Sequence, residues 1–137
     1  MSKVTPEFKR ALLFAFFEYL IILTPIALYV FLEAVHKHKW EFFFLSPEWA
    51  IGTIFLSFIS INKYVNSCYN NSKHSIQEAL NIYSLLNIII IVMATLNAVW
   101  SMENESNTLC WCRGALFVFA TILFFLFMTN SKLNTDD

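Results

Sequence analysis

Four stretches of the sequence are apolar, and each is close to the length that a helix needs to cross a bilayer. They cover residues 11–35, 47–64, 79–100 and 109–130. A spanning helix needs about 20 mostly apolar residues to cross ~30 Å of hydrocarbon. The runs therefore predict an all-α polytopic membrane protein with four transmembrane helices, short connections and no soluble domain. We expect residues 1–137 to form this single four-helix domain.

Composition excludes several classes of protein. The chain is 58% hydrophobic, whereas a soluble domain is about 45–50% apolar. With two glycines it has no glycine-rich phosphate loop, and with a net charge of −1 it has no basic surface for direct nucleic-acid binding. The three histidines lie in or beside the connections, and no serine–histidine–acid arrangement is evident. We expect neither an enzyme nor a bound cofactor.

Three helix-start patterns precede the first three runs. Two place a hydroxyl N-cap before a proline and an acidic residue, and the third is a capping box. They are Thr5-Pro6-Glu7, Ser46-Pro47-Glu48 and Ser75-Ile76-Gln77-Glu78.

The lysines and arginines predict the orientation of the chain. Six of the nine flank one side of the four runs, and Lys37, Lys39 and Arg113 lie on the other. Basic residues favour the cytoplasmic side, so we expect both termini in the cytoplasm. An inverted or dual topology is the alternative.

The tryptophans agree with this orientation. All four, Trp40, Trp49, Trp100 and Trp111, lie beside the first or third connection. Indole rings prefer the headgroup level, so we expect these residues to anchor the outer face. The apolar segment 40–45 is too short to span and is expected to lie in the same interface.

Small and polar side chains form stripes on two of the predicted helices. On the third run the stripe contains Ser84, Asn87, Ala94 and Ala98, and on the second it contains Thr53, Ser57 and Ser60. Such stripes allow close helix approach and hydrogen bonds between helices. We expect them to face each other within one chain, or alternatively to form the seam of a homo-oligomer or a pore lining.

Glu18 is the most unusual single residue of the sequence, because it is an acidic residue within an apolar run. Its carboxyl is expected about 10 Å inside the hydrocarbon, where a charge costs a few kcal/mol. We expect it to be paired, with Arg10 within snorkelling reach, or protonated and hydrogen-bonded; a proton or cation role is the alternative. Pro25 is expected to bend the same helix.

His36, His38, Cys110 and Cys112 have the spacing closest to that of a metal site. A two-histidine, two-cysteine zinc site is imaginable, but its spacing departs from the usual zinc motifs, and a disulfide or intermolecular bridge competes with it. We therefore expect no metal.

Glu18 in the first of four helices resembles the small multidrug-resistance transporters. That resemblance implies proton-coupled transport through Glu18. Those proteins pack through many glycines, whereas this chain has Gly52 and Gly114 alone. We therefore prefer another family.

The phenylalanine-, asparagine- and isoleucine-rich tetraspan pattern without a soluble domain resembles the membrane subunits of bacterial anti-phage defence systems, including the four-helix subunit of the Kiwa type. The resemblance implies a sensor or anchor in a bacterial inner membrane that forms oligomers and docks a cytosolic protein. We accordingly expect a homo-oligomeric membrane scaffold or sensor with a cytosolic protein partner. The inner connection, residues 66–77, would contact that partner, with Asn66, Lys73 and His74 as docking residues. A small ion channel, pore-former or proton-coupled transporter is the alternative function.

Overall fold

The architecture is given by a computed structural model that describes residues 6–38, 40, 43, 46–70, 74–104 and 106–133, and their side chains except at 67–70, 74–81 and 130–133. This part of the chain forms four α-helices and contains no strand. They are α1, Pro6–His36; α2, Glu48–Asn70; α3, His74–Glu103; and α4, Asn107–Leu133. The predicted all-helical fold is confirmed.

Three of these helices are long and apolar enough to cross a membrane. They are α1, the part of α3 from Ile82 to Glu103, and the part of α4 from Asn107 to Thr129. This is the composition expected of an integral membrane protein. α2 is not among the three, because serine, threonine, asparagine and lysine side chains interrupt its apolar run.

The helix starts lie close to the predicted ones, whereas α2 continues to Asn70, six residues beyond its predicted run 47–64. α1 begins at Pro6, and α2 begins two residues after Ser46, whose hydroxyl donates to the Glu48 carboxylate. α3 begins at His74, one residue before the predicted cap. The hydroxyl of Ser106 accepts a hydrogen bond from the backbone N–H of Leu109 at 3.3 Å and so caps α4, which the sequence patterns did not predict.

α1 ends by a change of backbone conformation. Its last residue is His36, and His38 adopts a left-handed φ of 53° that stops the helix. Pro25 lies inside α1, which continues through it as one helix of 31 residues.

The helices form an antiparallel bundle in which α2 and α4 lie on the short diagonal. α2 packs mainly against α3 and α4, α4 also contacts α1, and α1 and α3 are on opposite corners. Tyr64 near the end of α2 contacts Tyr83 near the start of α3, with ring centroids 5.3 Å apart. Tyr64 also contacts Phe127 of α4 at 4.7 Å.

All four helices contribute buried side chains to the core. Its fully enclosed side chains are Ala15, Leu56, Ile90, Ala120 and Phe124. Most large apolar side chains instead lie on the outside of the bundle, on every helix. An apolar exterior of this extent fits hydrocarbon and does not fit water.

All four tryptophans lie at the same end of the bundle, which we call the tryptophan end. Trp40, Trp100 and Trp111 are exposed there. Trp49 is half-buried; its indole N–H donates to the Phe43 carbonyl at 2.6 Å, and its ring packs on Phe117. Three of the four indole rings therefore lie on the surface of the bundle, and Trp49 is a packing residue. The rest of the segment 40–45 lies outside the described residues.

Candidate functional site

Two groups of polar side chains lie between the helices, and they are the candidate functional sites of this bundle. One is at the tryptophan end and joins α3 to α4. The other is nearer the opposite end, where α1 begins, and joins α1 to α2 and α4.

The cluster at the tryptophan end is centred on Arg113, whose side chain is only 2% exposed. Its Nη2 donates to the Ser101 hydroxyl at 2.5 Å and its Nε donates to the Asn97 Oδ1 at 3.2 Å. The Asn97 amide nitrogen in turn donates to the Leu109 carbonyl at 3.0 Å. These bonds hold the end of α3 against the first two turns of α4.

This cluster was not predicted from the sequence, in which Arg113 was counted only among the basic residues of the outer side. The structure buries it within α4 instead. A signal was present, because Arg113 falls inside the fourth apolar run and Asn97 and Ser101 are four residues apart on one helix face.

The second cluster contains Glu18, and its ion partner is Lys63 of α2. The Glu18 side chain is 21% exposed and that of Lys63 is 40% exposed. The Lys63 Nζ also lies 5.9 Å from the centre of the Phe14 ring, within the range of a cation–π contact. Arg10, the partner considered from the sequence, is exposed near the start of α1. The charge of Glu18 is thus neutralised by a lysine of another helix.

Tyr19, the residue after Glu18, connects this cluster to α4. The Tyr19 hydroxyl lies 3.3 Å from the Thr121 hydroxyl, and the Tyr19 ring packs on Phe125 with centroids 5.1 Å apart. The second carboxylate oxygen of Glu18, Oε2, is buried and has no hydrogen-bond partner among the described residues.

The small and polar stripes lie inside the protomer. On α2, Thr53, Ser57 and Ser60 are all buried. On α3, Asn87 and Ala94 are buried, whereas Ser84 and Ala98 are half-buried. Because α2 and α3 pack closely along this length, the stripes serve contacts within one chain.

Two of these buried side chains have unfilled hydrogen-bonding capacity. The Asn87 amide nitrogen donates to the Tyr83 carbonyl at 3.1 Å, but its Oδ1 has no partner in the described part of the chain. The Ser57 hydroxyl is likewise without one, whereas Ser60 donates to the Leu56 carbonyl at 2.8 Å.

The remaining candidates are at the two ends of the bundle. His36, His38 and Cys112 are exposed and Cys110 is half-buried; both cysteines are free thiols. Within the described residues no group of three or more histidine, cysteine or acidic side chains is placed to hold a metal ion. Asn66 is exposed on α2, and His74 begins α3. Lys73 and the side chain of His74 lie outside what the structure describes.

Two surface grooves in the described part of the chain have mainly apolar linings. One runs along α4 with a volume of about 540 Å³ and is lined by Trp111, Gly114, Ala115, Val118, Phe119 and Ile122. Another, of about 340 Å³, lies between α1 and α4 near the end where α1 begins. Both are almost entirely apolar, as expected of grooves that face lipid chains.

Comparison with known proteins gave no match: no family model fits the chain, and no curated protein or solved structure is similar to it.

Proposed function

We propose that α2 also crosses the membrane, so that the chain is a four-span integral membrane protein. The supporting observation is that α2 buries polar side chains and exposes apolar ones. Its buried side chains include Thr53, Ser57 and Ser60, whereas its exposed side chains include the apolar Ile51, Phe55 and Phe58. A helix facing water would show the opposite pattern. The lower hydropathy of α2 follows from its central place in the bundle, where polar side chains are shielded from lipid.

We propose further that the bundle acts without catalysis, as a membrane scaffold or sensor for a cytosolic protein partner. The ion pair between Glu18 and Lys63 is the observation that carries this proposal. A carboxylate held by a lysine of the same chain ties two helices together, as does the bonding of Arg113 to Asn97 and Ser101. The polar clusters therefore serve to fix the helices in one arrangement.

The surface offered to the partner is the end where α1 begins. Glu7, Lys9 and Arg10 are exposed on the first turns of α1, and Asn66 is exposed near the end of α2. With both termini and the α2–α3 connection in the cytoplasm of a bacterium, these groups face a cytosolic protein. Sensing in anti-phage defence is the role that the resemblance to Kiwa-type membrane subunits implies.

Co-purification tests this proposal. The full chain with a carboxyl-terminal tag is extracted in mild detergent from its native membranes, and a soluble protein is expected to remain bound. Replacing both Lys9 and Arg10 by glutamate reverses their charge and should release that protein. Reversal of Glu103 to lysine at the tryptophan end is the matched control and should leave it bound. Equal retention by both variants would contradict docking at this end.

Proton-coupled transport is the second candidate, and one observation favours it. The Oε2 of Glu18 is buried with no hydrogen-bond partner in the described part of the chain, and acidic side chains within membrane helices often line proton paths. In proteoliposomes, transport through Glu18 predicts a proton flux that Glu18→Gln abolishes while the bundle still assembles. Absence of flux in the unaltered protein together with a bound cytosolic partner favours the scaffold.

A further inference from the structure

Two fully buried polar side chains on facing helices have hydrogen-bonding capacity that the described residues do not fill. Ser57 of α2 and Asn87 of α3 are both 0% exposed. The Asn87 amide nitrogen already donates to the Tyr83 carbonyl at 3.1 Å, so the unmet need is at its acceptor oxygen, Oδ1. In Ser57 the hydroxyl itself is unpaired within the described residues. Because buried polar atoms of native proteins are nearly always paired, each oxygen requires a partner.

The Ser57 and Asn87 side chains point into the same seam between α2 and α3. Tyr64 and Tyr83 mark where α2 faces α3, because their ring centroids are 5.3 Å apart. Ser57 lies two turns before Tyr64 and Asn87 lies one turn after Tyr83, and residues at these spacings share a helix face. Since the two helices are antiparallel, both side chains lie on the side of the tyrosine contact that leads to the tryptophan end.

The levels of the two residues along the bundle fit a bridge of one water molecule. At a rise of about 1.5 Å per residue, Ser57 lies ~10 Å and Asn87 ~6 Å from the level of the tyrosine contact, an offset of about 4–5 Å. Two oxygens that bond the same water are about 4.5–5.5 Å apart, because each hydrogen bond is ~2.8 Å long. The two side chains do not bond each other directly in the described structure.

We propose that one buried water molecule binds in the seam between α2 and α3 and bridges the Ser57 hydroxyl to the Asn87 Oδ1. The water accepts a hydrogen bond from the Ser57 hydroxyl and donates one to the Asn87 oxygen. Buried waters of this kind pair polar groups that would otherwise be unsatisfied, and such a bridge is enthalpically nearly as favourable as a direct hydrogen bond. A cation is a poorer occupant, because neither side chain has a negative charge to balance it. The polar stripe of α2 thus ties α2 to α3 as well as allowing close packing.

Solid-state NMR of the full chain in lipid bilayers detects the water directly. With isotope-labelled asparagine, magnetisation from water protons should reach the Asn87 side-chain amide, whose signal is identified by its loss in Asn87→Leu. Ser57→Ala removes one of the two groups that hold the water, so the transfer should fall several-fold. Ser60→Ala is the matched control and should leave the transfer unchanged, because the likewise buried Ser60 hydroxyl already donates to the Leu56 carbonyl at 2.8 Å.

Thermal unfolding in detergent measures whether the two residues act together. Ser57→Ala combined with Asn87→Leu should lose less than the sum of the two single losses, by about 2–6 °C in melting temperature, because each single variant already breaks the bridge. Thr53→Val combined with Asn87→Leu is the control and should be additive. The Thr53 hydroxyl belongs to the same stripe but donates to the Trp49 carbonyl at 3.0 Å.

Each contrary outcome overturns the bridge. Absence of transfer from water to the Asn87 amide in the unaltered protein, or equal transfer in Ser57→Ala, rejects a water held by these two residues. Additive losses of Ser57→Ala and Asn87→Leu reject their coupling. Coupling without transfer from water shows that the two side chains bond each other directly, and it also rejects the water.

Discussion

Glu18 and Lys63, which are 45 residues apart in the sequence, form an ion pair that ties α1 to α2. Both side chains are partly exposed, on the outer edge of the α1–α2 contact. In a bilayer that edge faces lipid, where each charge depends on the other for its stability.

Removal of one partner of this ion pair should therefore destabilise the bundle more than removal of both. Lys63→Met leaves a carboxylate without its counter-ion and should lower stability by roughly 1–3 kcal/mol. The double variant Glu18→Gln with Lys63→Met leaves no charge and should recover most of that loss. Thermal unfolding in detergent, measured for both single variants and the double variant, gives the coupling between the residues. Additive effects would contradict a functional ion pair.

The buried guanidinium of Arg113 should be among the least replaceable side chains. Arg113→Leu leaves the Asn97 oxygen without its donor and should cost about 2–4 kcal/mol of unfolding free energy. Arg113→Lys should be intermediate, because an ammonium cannot reproduce the two directed bonds. Lys37→Leu breaks the exposed ion pair with Glu33, at 2.6 Å, and is a control expected to cost less than about 0.5 kcal/mol. The comparison is made by unfolding in mixed detergents.

The Tyr83 hydroxyl provides a test of the α3–α4 contact. It is buried and donates to the Leu123 carbonyl at 3.0 Å. Tyr83→Phe should lower stability by about 1 kcal/mol, because the carbonyl loses a donor from outside its own helix. Tyr29→Phe changes an exposed tyrosine and should have no measurable effect on the melting temperature. A larger effect at Tyr29 would place α1 against another protein surface.

The two glycines should respond differently to added volume. A methyl group at Gly52 would lie 3.5 Å from the Phe117 ring and 3.6 Å from Ile26, which is ordinary van der Waals contact, while Gly114 faces open space. Gly52→Ala and Gly114→Ala should each stabilise by roughly 0.5–1 kcal/mol through helix propensity. Gly52→Ile should destabilise by about 1–3 kcal/mol and Gly114→Ile should not, since only the first overfills a packed interface. Detergent melting temperatures of the four variants measure this difference.

Thiol labelling tests the predicted orientation. With both termini in the cytoplasm, the tryptophan end faces outward, and Cys112 is exposed there while Cys110 is half-buried. A membrane-impermeant maleimide added outside intact cells should label Cys112, and label Cys110 more slowly. The variant Cys112→Ser reports the remaining rate at Cys110. Cys68 should be spared from outside, and labelling of Cys68 alone would invert the topology.

The sequence by itself determined where the helices are. Local start patterns act within a few residues, so the starts of α1 and α2 were predicted to within one turn of those in the structure, whereas α2 ends six residues beyond its predicted run. The sequence also places all four tryptophans at one end of the bundle. They lie beside the first and third connections, and these connections fall at the same end because successive helices run in opposite directions. The cap at Ser106 was missed because no acidic or amide residue follows it at the capping-box position.

Only the tertiary structure decided which polar side chains meet. In a membrane bundle the outside is as apolar as the core, so hydrophobic periodicity does not mark the inward face of a helix. Nothing local to Glu18 indicated Lys63, and nothing local to Arg113 indicated Asn97, because each pair is joined by the packing of separate helices. The polar stripe of α2 could be recognised in the sequence, but its burial within one chain depends on the close contact of α2 with α3 and α4.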